Sequence, residues 1–178
     1  MKTLFQSLVI LTVLFVSLTV SAQKQNNWVE IGEGSYDHGF IYPYKIKLFV
    51  PIGERNIADF KEGLLPMKFS LDWLSIKLTK DKVKKIFFSQ LKDNFDDKET
   101  FDLYYYVIQQ FLKTLPSIKK HDKWSFEYYP DEGTKLYIEN KNIHHIVGAE
   151  LNRALIQSWI NKNPMLTSNL FNRLLKVQ

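Results

Sequence analysis

The 178-residue chain contains no cysteine. This absence excludes a disulfide scaffold, thiolate zinc sites and a cysteine nucleophile. Glycine is scarce, and none of its seven residues lies in a GxGxxG or GxxxxGK pattern, so the sequence offers no phosphate-cradling loop. No serine lies in a GxSxG motif, which excludes a nucleophile elbow. HxH and HExxH motifs are also absent, and we predict neither a metal site nor a cofactor.

The residues that are present are typical of a folded globular domain. Hydrophobic residues make up 45% of the chain and aromatic residues 15%, which is too apolar for a disordered protein. The length suits one domain, and no linker or repeat divides the chain. We therefore predict a single domain over residues 23–178.

Residues 1–22 are typical of a secretory signal peptide. Lys2 is the only charge, an apolar run follows from Leu8 to Val20, and small residues at Val20 and Ala22 define a cleavage site. An uncleaved membrane anchor is the alternative, although the run is short for crossing a bilayer. We predict a periplasmic or secreted protein. Nucleic acid is then not an expected partner, despite the formal net charge of +5.

Alternation of apolar and polar residues predicts a series of β-strands. The segments are Tyr44 to Val50, Met67 to Trp73, Trp124 to Tyr128, Lys135 to Glu139 and Ile143 to Val147. After Trp73 the pattern shifts by one residue and continues to Leu78, which indicates a bulge within one long strand. The turn at residues 130–133 joins two strands as a hairpin.

Helical spacing of apolar residues predicts four helices. They run from Thr79 to about Lys92, from Phe101 to Leu115, from near Gly148 to before Asn163, and from Ser168 to Leu175. Thr79 is predicted to cap the first helix, and Asp96 and Glu99 to form a capping box for the second. The element order predicts an α+β fold, with helices packed on one face of a mostly antiparallel sheet.

The charged residues do not point to one chemistry. His144 and His145 are adjacent on a predicted strand, so they point to opposite faces and cannot chelate one metal ion. Asp96-Asp97 and Asp131-Glu132 lie at a helix cap and a turn, and we predict no catalytic residue. Lysines cluster at residues 80–85 and at 119–123. A solvated surface explains them, and attraction to an anionic ligand or a membrane surface is the alternative.

The pieces of the chain resemble, in order and spacing, the chalcone isomerase-like proteins, specifically their exported bacterial branch. The matching segments are Gly32-Glu33-Gly34, the strand from Tyr44 to Pro51, Pro66 to Ile76, the hairpin from Trp124 to Glu139 with Pro130 and Gly133 at its bend, and the closing residues Ala154 to Ile160 with Asn163-Pro164. The resemblance implies an open-faced β-sandwich, in which helices are layered on a large antiparallel sheet.

The resemblance also bears on catalysis. Plant chalcone isomerases hold the anionic substrate oxygen with an arginine, and Tyr36 stands at that position here. The family's threonine falls near Tyr44, its helix-start tyrosine and asparagine match Thr79 and Ile86, and only a late hydroxyl survives, as Ser158. Loss of the cation argues against the plant reaction. A displaced Lys45, Lys47 or Arg55 is the alternative source of positive charge.

Relatives without isomerase activity bind fatty acids in the same cleft. The resemblance therefore implies an exported, non-catalytic protein that holds a fatty acid or another small amphipathic ligand. The predicted lining is Tyr36, Tyr44, Trp73, Thr79 and Ser158, with Lys47 as a counter-charge. A cofactor-independent intramolecular lyase or isomerase is the alternative, and a structural or partner-binding module with a packed core is a further one.

Overall fold

The computed structural model describes residues 27–36, 44–54, 56–74 and 78–160. The predicted signal peptide and the predicted helix at Ser168–Leu175 lie outside these residues. Ten elements follow one another along the chain: β1 (Trp28–Tyr36), β2 (Tyr44–Pro51), α1 (Ile57–Lys61), β3 (Met67–Trp73), α2 (Lys80–Asp93), α3 (Lys98–Thr114), β4 (Lys123–Tyr129), β5 (Gly133–Ile138), β6 (Lys141–Ile146) and α4 (Ala149–Ile160).

The six strands form one antiparallel sheet in the order in which they occur along the chain. Every second residue of β2, β3 and β4 is buried, and the residues between are partly exposed. This is the alternation expected for a sheet that has one covered face. The predicted α+β fold is confirmed, because helices cover one face and leave the other, here called the open face, to solvent.

Large side chains fill the layer between the sheet and the helices. Phe69 of β3 and Phe126 of β4 meet Trp159 of α4, with ring centroids 4.4 and 4.8 Å apart. Phe87 of α2 contacts Phe111 of α3 and Phe126. Each of these side chains contributes about 1.5–3 kcal/mol by its removal from water, so this layer is the core of the domain.

The capping of α2 and α3 differs from the prediction. Asp97, and not Asp96, caps α3, because the Asp97 side chain accepts a hydrogen bond from the Thr100 backbone N–H at 2.7 Å. Asp96 instead pairs with Arg153, 57 residues further along the chain. Thr79 occupies the cap position of α2, but its side chain makes no capping bond.

The predicted long strand from Met67 to Leu78 is also corrected. β3 ends at Trp73, and Leu78 forms an isolated antiparallel bridge with Ile118 outside the sheet. The bulge was predicted directly after Trp73, but Leu74 is not part of a strand, and residues 75–77 lie outside the described part of the chain. β1 was not predicted from alternation, because its register shifts between Glu30 and Gly32 and so interrupts the two-residue period.

Candidate functional site

Four aromatic side chains meet at one end of the layer between the sheet and the helices. Tyr44 and Trp73 pair across β2 and β3, with ring centroids 5.0 Å apart. Trp73 meets Trp124 of β4 edge to face at 5.8 Å, and Phe87 of α2 stacks on Trp124 at 6.0 Å. None of the four is more than 3% exposed. We call these residues the aromatic cluster.

The aromatic cluster contains two buried indole N–H groups, which can donate hydrogen bonds. Nε1 of Trp73 and Nε1 of Trp124 have no hydrogen-bond partner among the described residues. A buried donor without an acceptor costs about 1–3 kcal/mol. A ligand oxygen that accepted these bonds would remove that cost. Apolar walls with a few polar groups are the usual form of a small-molecule site.

A short loop lies against the aromatic cluster. The backbone N–H of Trp73 donates to the Asp122 carbonyl at 3.1 Å, and the Trp73 carbonyl accepts from the backbone N–H of His121. Leu78 and Ile118 close the layer nearby, and each donates a backbone hydrogen bond to the other, at 3.0 and 2.9 Å. The segments before α2 and before β4 are therefore held together beside the cluster.

The structure brings two of the predicted lining residues together and places others elsewhere. Tyr44 and Trp73 are buried neighbours on the covered face. Lys47 lies on the open face, where its ammonium pairs with Glu30 at 2.6 Å and Glu33 at 3.8 Å. These carboxylates raise the pKa of Lys47. The sheet thus separates Lys47 from the aromatic cluster for which it was the predicted counter-charge.

The remaining predicted residues have separate surroundings. The Ser158 hydroxyl is buried and donates to the Leu155 carbonyl of its own helix at 2.6 Å. Thr79 is exposed at the start of α2, next to the Leu78–Ile118 bridge. The backbone of Tyr36 pairs with Tyr44, and its side chain lies outside what the structure describes.

A surface groove of about 470 Å³ lies at the opposite end of the sheet. It separates the β4–β5 turn and the segment after α1 from the start of α4. Its apolar lining includes the exposed side chains of Leu64 and Val147. Its carboxylates are Glu62, Asp131, Glu132 and Glu150. We call it the acidic groove.

The acidic groove was not predicted from the sequence, because it joins segments up to about ninety residues apart. Tyr128 ties two of them together by donating to the Gly63 carbonyl at 2.7 Å. Burial raises the pKa of Tyr128, so its hydroxyl remains a donor at neutral pH. The guanidinium of Arg153, which also lines the groove, is held by Asp96 and Glu150. The groove therefore presents mainly negative charge.

The described residues hold neither a candidate metal cluster nor a membrane-spanning helix. No group of three or more His, Asp or Glu side chains there could hold a metal ion. Within the same ranges, no helix is both long enough and apolar enough to cross a membrane. The predicted divergence of the two adjacent histidines is confirmed, since His144 contacts the Phe111 ring and His145 the Glu132 carbonyl.

Comparison with known proteins agrees with this architecture. The family model described as chalcone isomerase-like matches residues 31–176. A crystal structure of a fatty-acid binding protein from Arabidopsis thaliana superposes with a TM-score of 0.68 at 15% sequence identity, covering 83% of this chain and 86% of that one. A search of curated proteins returns no match. The chain belongs to the chalcone isomerase-like family.

Proposed function

We propose that this protein binds a fatty acid or another small amphipathic ligand without transforming it. The observation that carries the proposal is the pair of buried indole donors, Trp73 and Trp124, which lack acceptors among the described residues. The ligand's polar head accepts hydrogen bonds from these two groups. Side chains fill the layer between the sheet and the helices in this structure, so the apolar chain enters only if the helices move apart from the sheet. Burial of each CH₂ group then contributes about 0.8 kcal/mol.

The distribution of charge supports the aromatic cluster over the acidic groove as the position of the head group. The groove is lined by four carboxylates, of which Glu132 pairs with Lys135 and Glu150 with Arg153. Its net charge is therefore negative, which disfavours a ligand carboxylate. Its Arg153 is already neutralised by Asp96 and Glu150. The segments beside the aromatic cluster carry lysines instead, at residues 119, 120 and 123. The surroundings of the aromatic cluster therefore repel an anionic head group less than those of the groove do.

The family and its fold also support a binding role. The superposed plant structure is that of a fatty-acid binding protein, and it shares nearly the whole fold of this chain. We infer the same class of ligand for this chain, because its buried indole donors lie in an apolar layer. From the signal-peptide pattern of residues 1–22 we further propose that the protein acts after export, in the periplasm or outside the cell.

The placement of cations favours binding over isomerisation. A developing enolate or phenolate needs a preorganised positive group or several donors. Lys45 and Lys47, two of the alternative cations, lie on the open face in ion pairs with Glu33 and Glu30. The third, Arg55, lies outside the described residues. Two neutral indole donors suffice to orient a head group, but they stabilise a developing charge less than a cation does.

Titration of the purified protein with a long-chain fatty acid tests the proposal. The double variant Trp73→Phe/Trp124→Phe retains two aromatic rings and removes both donors. We expect its affinity to fall by about tenfold, as the loss of one to two hydrogen bonds predicts. Trp159→Phe is the matched control. The Trp159 indole N–H is also buried without a partner among the described residues, but its ring packs between Phe69 and Phe126.

Calorimetry would measure the affinities, and thermal unfolding would confirm that each variant folds. The proposal predicts wild-type affinity for the control and weaker binding for the double variant. Equal affinity in all three proteins would contradict the assignment of the head group. Absence of binding by the wild-type protein would contradict the function itself.

A further inference from the structure

The fold brings the two lysine clusters of the sequence together at one end of the molecule. The Leu78–Ile118 bridge joins the segment that leads into α2 to the segment that follows α3. Lys80 lies two residues after Leu78, and Lys119 comes directly after Ile118. We call the lysines of residues 78–85 and 113–123 the basic end. They are Lys80, Lys82, Lys84, Lys85, Lys113, Lys119, Lys120 and Lys123.

The basic end accounts for the whole positive excess of the protein. Residues 78–85 and 113–123 contain eight lysines and two aspartates, a formal charge of +6. The other residues, with 16 basic and 17 acidic side chains, are nearly neutral together. The acidic groove lies at the far end of the sheet. The molecule is therefore electrically polarised along the sheet.

The lysines of the basic end are free to meet an external partner. Seven are exposed, and Lys84 is partly exposed. Across the described ranges, the one ion pair that these lysines make is between Lys84 and Asp81, with its atoms 4.0 Å apart. The lysines of β2 and β3 differ, because each pairs with a glutamate. Unpaired lysines that share a surface within about one Debye length, ~10 Å at 0.1 M salt, attract an anionic partner together.

We propose that the basic end docks on the surface of an anionic lipid bilayer. Each lysine close to such a surface contributes about a fivefold gain in partitioning, so several lysines together give measurable association. A bilayer fits better than a nucleic acid, because the sequence predicts an exported protein. The basic end also adjoins the aromatic cluster, so a docked molecule would present its ligand site to the lipid. This last step rests on the proposed function, whereas the docking does not.

Vesicle flotation with ligand-free protein tests the docking. The probes are vesicles of phosphatidylglycerol and phosphatidylcholine in equal parts, and vesicles of phosphatidylcholine alone. We expect the wild-type protein to float with the anionic vesicles at low salt, and its bound fraction to fall as salt is raised. It should not float with the neutral vesicles. Flotation with them would instead indicate that an apolar segment of the chain inserts into the bilayer.

Substitutions locate the interaction. Lys80→Glu, Lys82→Glu, Lys119→Glu and Lys120→Glu together should lower partitioning by at least about tenfold. The first two substitutions place acidic residues at the start of α2, where a negative charge interacts favourably with the helix dipole and should not weaken the helix. The corresponding Lys→Gln variant should show a smaller loss. The control is the double variant Lys92→Glu/Lys98→Glu, at two exposed positions away from the basic end. It is compared with Lys119→Glu/Lys120→Glu, which changes the net charge by the same amount.

The outcomes are distinct. Selective loss by the variants of the basic end supports docking there. Equal loss in the control pair would show a general charge effect and would overturn the assignment to this end. Absence of wild-type flotation, together with lysine-dependent retention on heparin, would overturn the bilayer in favour of a soluble polyanion. Fatty-acid affinity is measured separately, so failure of docking and failure of ligand binding are distinguishable.

Discussion

The side chains of Thr134 and Asn152 form a buried hydrogen bond of 2.6 Å that joins β5 to α4. The Asn152 amide also donates to the Ile146 carbonyl at 3.0 Å and to the Gly148 carbonyl at 2.8 Å. The Asn152 side chain is thus the hydrogen-bond partner of the last carbonyl of β6, of the carbonyl just before α4 and of the Thr134 hydroxyl in the sheet. The packing of α4 on the sheet depends on this polar contact as well as on apolar burial.

Asn152→Ala should destabilise the fold by about 2–4 kcal/mol, because it leaves the Thr134 hydroxyl and the Ile146 carbonyl buried without their partner. Chemical denaturation would measure the change in the free energy of unfolding. Asn142→Ala, at an exposed position of β6, is the control and should change it by less than about 0.5 kcal/mol. Similar small effects of both substitutions would contradict the role assigned to Asn152.

Two features of the backbone at Gly133, at the start of β5, require glycine there. Its φ is +94°, and a Cβ atom there would collide with the Ile146 carbonyl oxygen. Gly53 has a φ of +90° but no atom within 4 Å of such a Cβ. Gly53→Ala should therefore show only the backbone cost, about 1–2 kcal/mol, whereas Gly133→Ala should cost clearly more. Equal losses in the free energy of unfolding would show that the collision is relieved at no cost.

His144 should contribute a pH-dependent part of the stability. Burial lowers its pKa below the ordinary value of 6.5, with a smaller contribution from His145. The unfolded state then binds a proton more readily than the folded state. Stability from the neutral ring is fully present above pH 6.5 and is lost as the pH falls through the folded-state pKa.

Unfolding measured between neutral and mildly acidic pH would test this sign. His144→Phe should flatten the pH dependence in that window, and it retains a ring against Phe111. His121→Asn is the control, because His121 is exposed and its φ of 70° is one that asparagine tolerates. A stability that rises on acidification in the wild-type protein would contradict the prediction.

Substitutions in the acidic groove should leave fatty-acid binding unchanged. Leu64→Ser and Val147→Ser remove its two exposed large hydrophobic side chains without touching the aromatic cluster. Both positions are on the surface, so the fold should persist. Calorimetric titration of the double variant checks this. A clear loss of affinity would move the proposed site to the groove.

Much of the fold follows from local pattern. The alternation in β2, β3 and β4 predicted which residues face the helices, and the helical spacing in α2 and α3 predicted their buried side. Such patterns report burial directly, because each side chain's direction is set by the element's period. The capping box at Asp96 was wrong, since the competing partner, Arg153, is far away in sequence.

The candidate site could be predicted only in part. Tyr44 and Trp73 were identified together, and their pairing across neighbouring strands follows from register. The alternation of β2 already assigns Lys47 a polar position, but it does not show which face holds a ligand. Trp124 and the basic end depend on contacts between distant segments, such as the Leu78–Ile118 bridge, which no local pattern encodes.

Native mass spectrometry of the gently purified protein, followed by extraction of anything bound, is the most direct test of fatty-acid binding. We expect a co-purifying fatty acid or similar amphiphile, close to one molecule per chain. We also expect a mass that returns to that of the polypeptide after delipidation and rises again on adding a long-chain fatty acid. A clean polypeptide mass throughout, with no thermal stabilisation by added fatty acids, would contradict fatty-acid binding and favour a packed structural module.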